Sequence, residues 1–572
     1  MKSLTGLDAT FLYLETPEMP MHVGSFNLCA LPAGFTGSFH QAVIAHIGKR
    51  MHLAPVFSRK LVFMPLDLGH PLWVEADSVD ICFHIRRADL VKRGATPMTL
   101  EAAHKLCAKL HGELIDRNFP LWEFYVFDRI KLPDGRLVGG FFSKIHHAAL
   151  DGKGGVMLAN ALLDLSPIPR DVPAPDPNKR RMRESDLKIG KMIGSVFSSS
   201  IGQLMKVAKS LPSAAATFGS TLARQSIGNS ANGVKAKLSI KLSIELAPAT
   251  PFNAGITTDR VFVTATMSLA ECKAIGKAVG GSFNDIALWI CSTALRNYLR
   301  QHHSLPRKSL VAAMPVSLRD AGEANTKDAT NLGNQVSMTL VELGTHLAHP
   351  LKRMNAIMAS TAKVKTSMQS LKHLLPTDYP SLLAPWLVGG AAKMALNVYG
   401  KLGHGSIAAR LPTVANLVIS NVPGASVPLY LAGAEFLSFH PLSIIMHGLG
   451  LNITIQTYAG RVDFGIVADK KALPHAADLS KAIEAAFAEA RELFSAPQAF
   501  AAPTKKILAK KKVAKVTREA KLNPSPAEIA HLHRDTVFKS STALKSNAPN
   551  HGKTAVKKTS RRTTAKRPII QP

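Results

Sequence analysis

Two adjacent histidines, His146 and His147, precede Asp151 and Gly152 at the spacing His-His-x-x-x-Asp-Gly. A neutral imidazole with the ordinary pKa of about 6.5 can take the proton of an attacking hydroxyl at neutral pH, so general-base catalysis suits this pattern. The apolar run from Leu137 to Ile145 predicts a strand that delivers the pair. Neighbouring side chains on a strand point to opposite faces, so one histidine is expected to meet a cleft and the other the interior. His147 lies nearer the turn and is assigned as the base. Asp151 is expected to hold the turn, by an ion pair or by capping the helical pattern Val156 to Leu165. A purely structural pair and a metal site are competing readings. The divergence of strand neighbours, and the lack of a third ligand at a recognised spacing, weigh against the metal.

The elements around the motif alternate between strand and helix patterns. Before it come an alternating run near Ser25–Ala30, a helical pattern at Phe39–Met51, strands at Leu61–Val74 and Ser78–Ile85, and a helix at Thr99–Leu110. Asp134-Gly135 marks a hairpin turn between an apolar strand at Phe124–Phe127 and the histidine strand. His22 reads as structural and Trp122 as core beside the motif. Prolines at 167, 169, 173, 175 and 177 announce a linker that carries the basic cluster Lys179–Arg183 and a basic amphipathic pattern over Ile189–Leu222. Beyond it a second mixed region begins. It contains a strand at Asp259–Leu269, helices at Ala270–Val279 and Ile286–Leu299, and strands at Leu310–Arg319 and Val414–Val422. A hairpin at Leu449–Ala468 and a helix at Ala477–Phe494 complete it. Asn284 or Asp285 stands at capping distance before the helix Ile286–Leu299. Ser381–Tyr399 is the most apolar patch, too short and charged to span a bilayer. Strands interleaved with helices in both halves predict an α/β (α+β) protein with mixed sheets. The organisation expected is an N-terminal domain 1–170, a linker 171–255, a C-terminal domain 256–500 and a tail 501–572.

Length and composition fit this plan: 572 residues, 46% hydrophobic and 19% charged, suit two or three globular domains. The net charge of +31 is unevenly spread, since the last 69 residues hold 18 basic and 3 acidic side chains. Low hydrophobicity and high charge predict a disordered tail. Five cysteines without a Cys-x-x-Cys pair argue against a disulfide framework or zinc knuckle. Asp8 and Glu15 interrupt any signal-peptide core, and no apolar run reaches the length of a transmembrane helix. The expectation is a cytoplasmic protein, soluble or peripheral.

A set of motifs in fixed order carries a family resemblance. Leu7-Asp-Ala-Thr-Phe-Leu12, Pro20-Met-His-Val-Gly24, Pro120-Leu-Trp122, His146-His-Ala-Ala-Leu-Asp-Gly152, Asn284-Asp285 and Ser420-Asn-Val-Pro-Gly424 run through residues 1–500. In these the chain resembles the bacterial bifunctional wax ester synthase/acyl-CoA:diacylglycerol acyltransferases. It departs from them at Ala425, where the family usually carries proline. The resemblance implies two chloramphenicol-acetyltransferase-like domains around a tunnel, joined by a long helical linker. It also implies that a long-chain acyl-CoA is the co-substrate and diacylglycerol or a fatty alcohol the acceptor, with no metal or other cofactor. Carried over residue by residue, His147 is the base, His146 and Asp151 support the site's geometry with Gly152, and Asn284 and Asp285 belong to a supporting motif.

Peripheral contact of the basic tail with an inner-membrane or lipid-droplet surface is expected at about 1 kcal/mol per nearby basic residue. Nucleic acid is the less favoured partner, because Phe538 is the tail's lone aromatic. The rival functions are a superfamily acyltransferase with another hydroxyl or amine acceptor, and a non-catalytic binding protein for lipid droplets or nucleic acid.

Overall fold

The computed structural model describes residues 2–63, 70–88, 96–150, 152–176, 183–186, 247–317, 336–371 and 413–494. All of these belong to one compact unit, Met1–Phe500. Asp151, the amphipathic stretch 189–222, the apolar patch 381–399 and the tail 501–572 lie outside the described residues, as does the basic cluster apart from Arg183.

The N-terminal half starts with β1 (Lys2–Ser3) and α1 (Gly6–Leu14), followed by β2 (His22–Ala30) and α2 (Phe39–Gly48). Thr5 and Ser38 cap the two helices, each accepting an amide N–H of the first turn. Next come β3 (Arg59–Val62), β4 (Leu72–Glu75), α3 (Ile81–His84), β5 (Ile85–Arg87) and β6 (Met98–Thr99). Then α4 (Leu100–Gly112), β7 (Trp122–Lys131), β8 (Leu137–His146) and α5 (Gly152–Leu162) follow. Three sequence expectations need correction. The run 61–74 is not one strand, because β3 and β4 fold back on each other as an antiparallel pair with Val62 opposite Leu72. The segment 78–85 is not one strand, because the Asp80 carboxylate accepts the Cys82 and Phe83 amides and turns the chain into α3 before β5. The helix after the motif runs over Gly152–Leu162, earlier than the pattern Val156–Leu165.

The C-terminal half contains β9 (Arg260–Ser268), α6 (Leu269–Ala278), α7 (Phe283–Gln301), β10 (Val311–Ser317), β11 (Val336–Glu342) and α8 (Pro350–Leu371). It continues with β12 (Leu417–Val422), β13 (Tyr430–Leu431), β14 (Ala434–Phe436) and β15 (His440–Leu442). It closes with the hairpin β16 (Leu451–Tyr458) and β17 (Arg461–Asp469), then α9 (Ala476–Phe494).

The strands form three sheets among the described residues. A small one has the order β1-β4-β3, and a six-stranded one has β11-β10-β12-β16-β17-β9. The eight-stranded sheet follows β13-β14-β2-β8-β7-β5, with β15 also on β2 and β6 also on β7. Both large sheets mix parallel and antiparallel pairs. Strands β13, β14 and β15 come from 430–442, so the sheet that holds the histidines is completed by the far half of the chain.

Alternation along β8 assigns its two faces. Phe141 and Ile145 pack with Phe39, Val43, Trp122 and Leu158 under α2 and α5, whereas Phe142 packs with Phe26, Tyr125 and Cys107 against α4. Trp122 is fully buried, and its indole N–H donates to the Phe57 carbonyl at 3.2 Å. Gly24 in β2 has to be glycine, because a Cβ there would lie 1.8 Å from the Ser143 carbonyl oxygen. That close approach sets β2 against β8 in the register His22 opposite His146.

Candidate active site

Strand β8 ends at His146, and the chain turns at once into the 3-10 turn His147–Ala149. The expectation that both histidines sit on the strand is thereby corrected: His146 ends it and His147 opens the turn. His146 is fully buried and caps that turn: its Nδ1 accepts the Ala148 amide N–H at 3.1 Å. With Nδ1 accepting, Nε2 is the nitrogen that carries a proton, and it faces Glu15 Oε2 at 3.1 Å.

Glu15 is the residue that sequence reasoning missed. It lies just past α1, where its Oε2 also accepts the Met21 amide N–H at 3.0 Å. Its Oε1 accepts Nε and Nη2 of Arg117 at 3.0 and 2.7 Å. Burial opposes its charge, but the hydrogen bond and charge of His146, then Arg117 and the Met21 amide, outweigh burial and hold the carboxyl down at about 2. No spacing rule links an acid near the N-terminus to a histidine at the end of β8.

His147 is half-buried. Its amide N–H donates to the Met21 carbonyl at 2.8 Å, and its ring stacks on Phe11 with centroids 4.0 Å apart and planes 15° apart. The opening motifs around Phe11 and Met21 thus form the seat of the His147 ring. Burial pulls the His147 pKa down to about 4, and the neighbouring His146 adds to this. His147 is therefore neutral at physiological pH, with a lone pair available.

Beside this pair, on the face of β8 that carries His146, lies a buried polar group. Lys144 is fully buried and meets Glu123 Oε2 at 3.0 Å, and the Tyr125 hydroxyl donates to the same oxygen at 2.8 Å. His22 Nε2–H donates to the His111 carbonyl at 2.7 Å, and His111 Nε2–H to the Ser443 carbonyl at 3.1 Å. Burial first, then the Lys144 and His111 charges, push the His22 pKa well below its usual range.

The other candidates sit elsewhere. Asp285 is not the cap of α7 but its partner: Ser282 is the N-cap, and Asp285 Oδ2 accepts the Ser282 amide and hydroxyl at 2.7 and 2.6 Å. Its Oδ1 accepts the Thr361 hydroxyl at 2.7 Å, which ties α7 to α8. Asn284 Oδ1 accepts Asn421 Nδ2–H at 3.3 Å, so the Asn-Asp and Asn-Val-Pro-Gly motifs meet. Neither residue bonds to a histidine of the motif in these contacts. Gly424 of the second motif allows close approach, because a Cβ there would lie 2.1 Å from the Thr457 carbonyl oxygen.

Residues 4–287 match the profile described as wax ester synthase/diacylglycerol acyltransferase catalytic domain, and residues 332–491 that family's C-terminal domain. A Mycobacterium tuberculosis protein named probable diacylglycerol O-acyltransferase is 32% identical over 472 residues, covering 82% of this chain and 94% of its own. The O-acyltransferase WSD of Acinetobacter baylyi is 30% identical over 490 residues, covering 85% and 96%. The solved wax ester synthase/diacylglycerol acyltransferase of Marinobacter aquaeolei VT8 is 25% identical, with a TM-score of 0.59 over 87% of this chain and 100% of that one. The chain belongs to the wax ester synthase/diacylglycerol acyltransferase family, and it is an acyltransferase with that family's two-domain mixed α/β fold.

Proposed function

We propose that this family member transfers a long-chain acyl group from CoA to the hydroxyl of diacylglycerol or of a fatty alcohol, with His147 as the general base. The observation that supports the reading is a neutral imidazole, stacked on Phe11, on a turn that the Glu15–His146 pair holds from behind. The His147 ring takes the hydroxyl proton while the oxygen attacks the thioester carbonyl carbon, giving a tetrahedral oxyanion. As the C–S bond breaks, the imidazolium returns the proton to the departing CoA sulfur, leaving ester and free CoA. Glu15 acts as a positioning residue through His146, whose ring in turn fixes the Ala148 amide. Asp151 and Gly152 complete the turn in this reading, and Asn284 and Asp285 support the C-terminal half.

The same reading takes 1–170 and 256–500 as the two acyltransferase domains, with 171–255 as their linker. It includes peripheral contact of the basic tail 501–572 with an anionic membrane or lipid-droplet surface, supported by charge alone. Among the described residues no helix is long and apolar enough to cross a membrane.

The test is CoA release from hexadecanoyl-CoA by the purified protein, with hexadecanol and diacylglycerol as parallel acceptors and His147→Ala as control. Turnover that the substitution abolishes supports the mechanism. Equal rates in wild type and variant would remove His147 from it. Sedimentation with anionic vesicles, with and without residues 501–572, tests the surface contact.

A further inference from the structure

The histidine pair is held from one short segment. Glu15 at its start faces the His146 ring, and Met21 at its end accepts the His147 amide N–H through its carbonyl. Between them the chain reverses over Thr16-Pro17-Glu18-Met19, where the Met19 amide donates to the Thr16 carbonyl at 2.9 Å. Proline at the second position suits such a reversal, because its φ is already fixed. A turn of this kind uses its first carbonyl and its fourth amide, so the carbonyl of its third residue, Glu18, must find a partner elsewhere.

That partner comes from the far half of the chain. Arg260 opens β9, and its Nη2–H donates to the Glu18 carbonyl. Its Nη1–H donates to the Thr257 carbonyl, so one planar guanidinium spans the tip of the turn and the lead-in to β9. Arg260 is buried and stands opposite Asp469 in the β9–β17 ladder. Burial pulls its pKa down to about 10, against the charges of Asp469, Asp259 and Glu18, and it stays a cation at neutral pH.

The lead-in to β9 is itself fixed on both sides. Thr257 gives its amide and hydroxyl to Asp469, and the Lys470 amide donates to the Asp259 carbonyl at 3.1 Å. Gly112, at the end of α4, admits the Thr258 carbonyl, because a Cβ there would lie 2.7 Å from that oxygen. The guanidinium therefore projects from a locked edge of the six-stranded sheet. The segment it holds moves as one piece, since the Met21 amide donates to Glu15 Oε2 at 3.0 Å. A misplacement of about 1 Å remote from the chemistry can cost on the order of 100-fold in rate.

We propose that Arg260 is a positioning residue for acyl transfer: from the C-terminal half it holds the turn whose two ends seat His146 and His147. The inference rests on the general-base reading above and names the tie by which one half of the chain sets the geometry of the other.

CoA release from hexadecanoyl-CoA with hexadecanol is measured per folded molecule for Arg260→Gln, Glu15→Gln and the double variant. Thr257→Val is the control, because it loosens the same lead-in and leaves both carbonyls that Arg260 binds. Arg260→Lys keeps a cation opposite Asp469, but its single ammonium cannot span both carbonyls in one plane; it carries the same cycle where the glutamine variant does not fold. The expected result is a fall in kcat of about tenfold or more for the Arg260 variant, with KM for each substrate changing less than about threefold. The double variant should lose at least about threefold less than the product of the two single losses, because both act through one segment. Thr257→Val should lower the melting temperature and keep kcat within about threefold. A smaller fall in kcat, a larger change in KM, a multiplicative double variant, or a control that loses kcat beyond that limit overturns the assignment. Turnover that His147→Ala leaves unchanged fails the general-base reading itself, an outcome distinct from a His147-dependent enzyme in which the Arg260 variant is silent.

Discussion

The two large sheets bury polar side chains in different ways. In the six-stranded sheet these groups are closed off. Asp463 accepts the Thr266 hydroxyl and the Phe439 amide, each at 2.7 Å, and Asn452 donates to the Ile444 carbonyl at 2.9 Å. Asp469 takes the Thr257 amide and hydroxyl at 2.7 and 2.6 Å. In and beside the eight-stranded sheet several buried groups are left partly open. His22 Nδ1, His111 Nδ1 and Asn27 Oδ1 have no hydrogen-bond partner among the described residues, and Lys144 is a buried cation. A buried polar group without a partner costs about 1–3 kcal/mol. The first sheet avoids that cost and acts as scaffold; the second carries it where the histidine motif sits. In the proposed mechanism, chemistry and stability are divided between the two sheets, so substitutions in each should fail in different assays.

The largest effect is expected at His147. His147→Ala should lower kcat/KM on the order of 10²–10⁴-fold in CoA release, the usual worth of a positioned general base. Next comes Glu15→Gln, which keeps the shape and removes the charge behind His146. A hydrogen bond to a charged group is worth about 1.5–3 kcal/mol, so kcat should fall roughly ten- to hundredfold. Retention of full kcat would take Glu15 out of the positioning chain.

Asp285→Ala tests the other side of the comparison. It breaks the capping box and frees the Thr361 hydroxyl, so chemical denaturation should show about 1–3 kcal/mol of lost stability. Turnover per folded molecule should stay within about threefold, by contrast with Glu15→Gln. A loss of turnover without a loss of stability would place Asp285 in the chemistry and break the division.

Acid should affect the histidine-bearing half through linkage. Burial lowers the pKa of His104 and His111 to about 3 and of His147 to about 4, all below the usual 6.5. Neutral rings in the folded state then contribute stability that is fully present above pH 6.5 and lost as pH falls through 6.5 toward 3–4. The melting temperature should be flat above 6.5 and decline below it.

The smallest effect is an absence of change in rate. A base at 6.5 would be only about one-tenth deprotonated at pH 5.5, whereas His147 remains neutral there. Initial rates of folded enzyme should vary little between pH 5.5 and 8. An acid limb near 6.5 would show that substrate binding restores the ordinary pKa.

Much of this protein is local and therefore legible in its residues. Apolar runs gave β7 and β8, a hairpin-like pair of segments gave β16–β17, and helical spacing gave α2, α4, α7 and α9. The ordered motifs identified the family, and the histidine pair identified the candidate base. Short-range capping was less readable, because Ser282 and Asp80 compete with neighbouring polar residues for the same role. What joins distant segments could not be read at all. Glu15 reaches His146, Phe11 reaches His147, and residues 430–442 complete the histidine sheet, each through packing that has no period in sequence. A pKa near 4 is likewise a property of enclosure. The sequence by itself determined which side chains can do chemistry; tertiary structure decided which are desolvated, positioned or left unpartnered, because burial arises only when remote elements close over them.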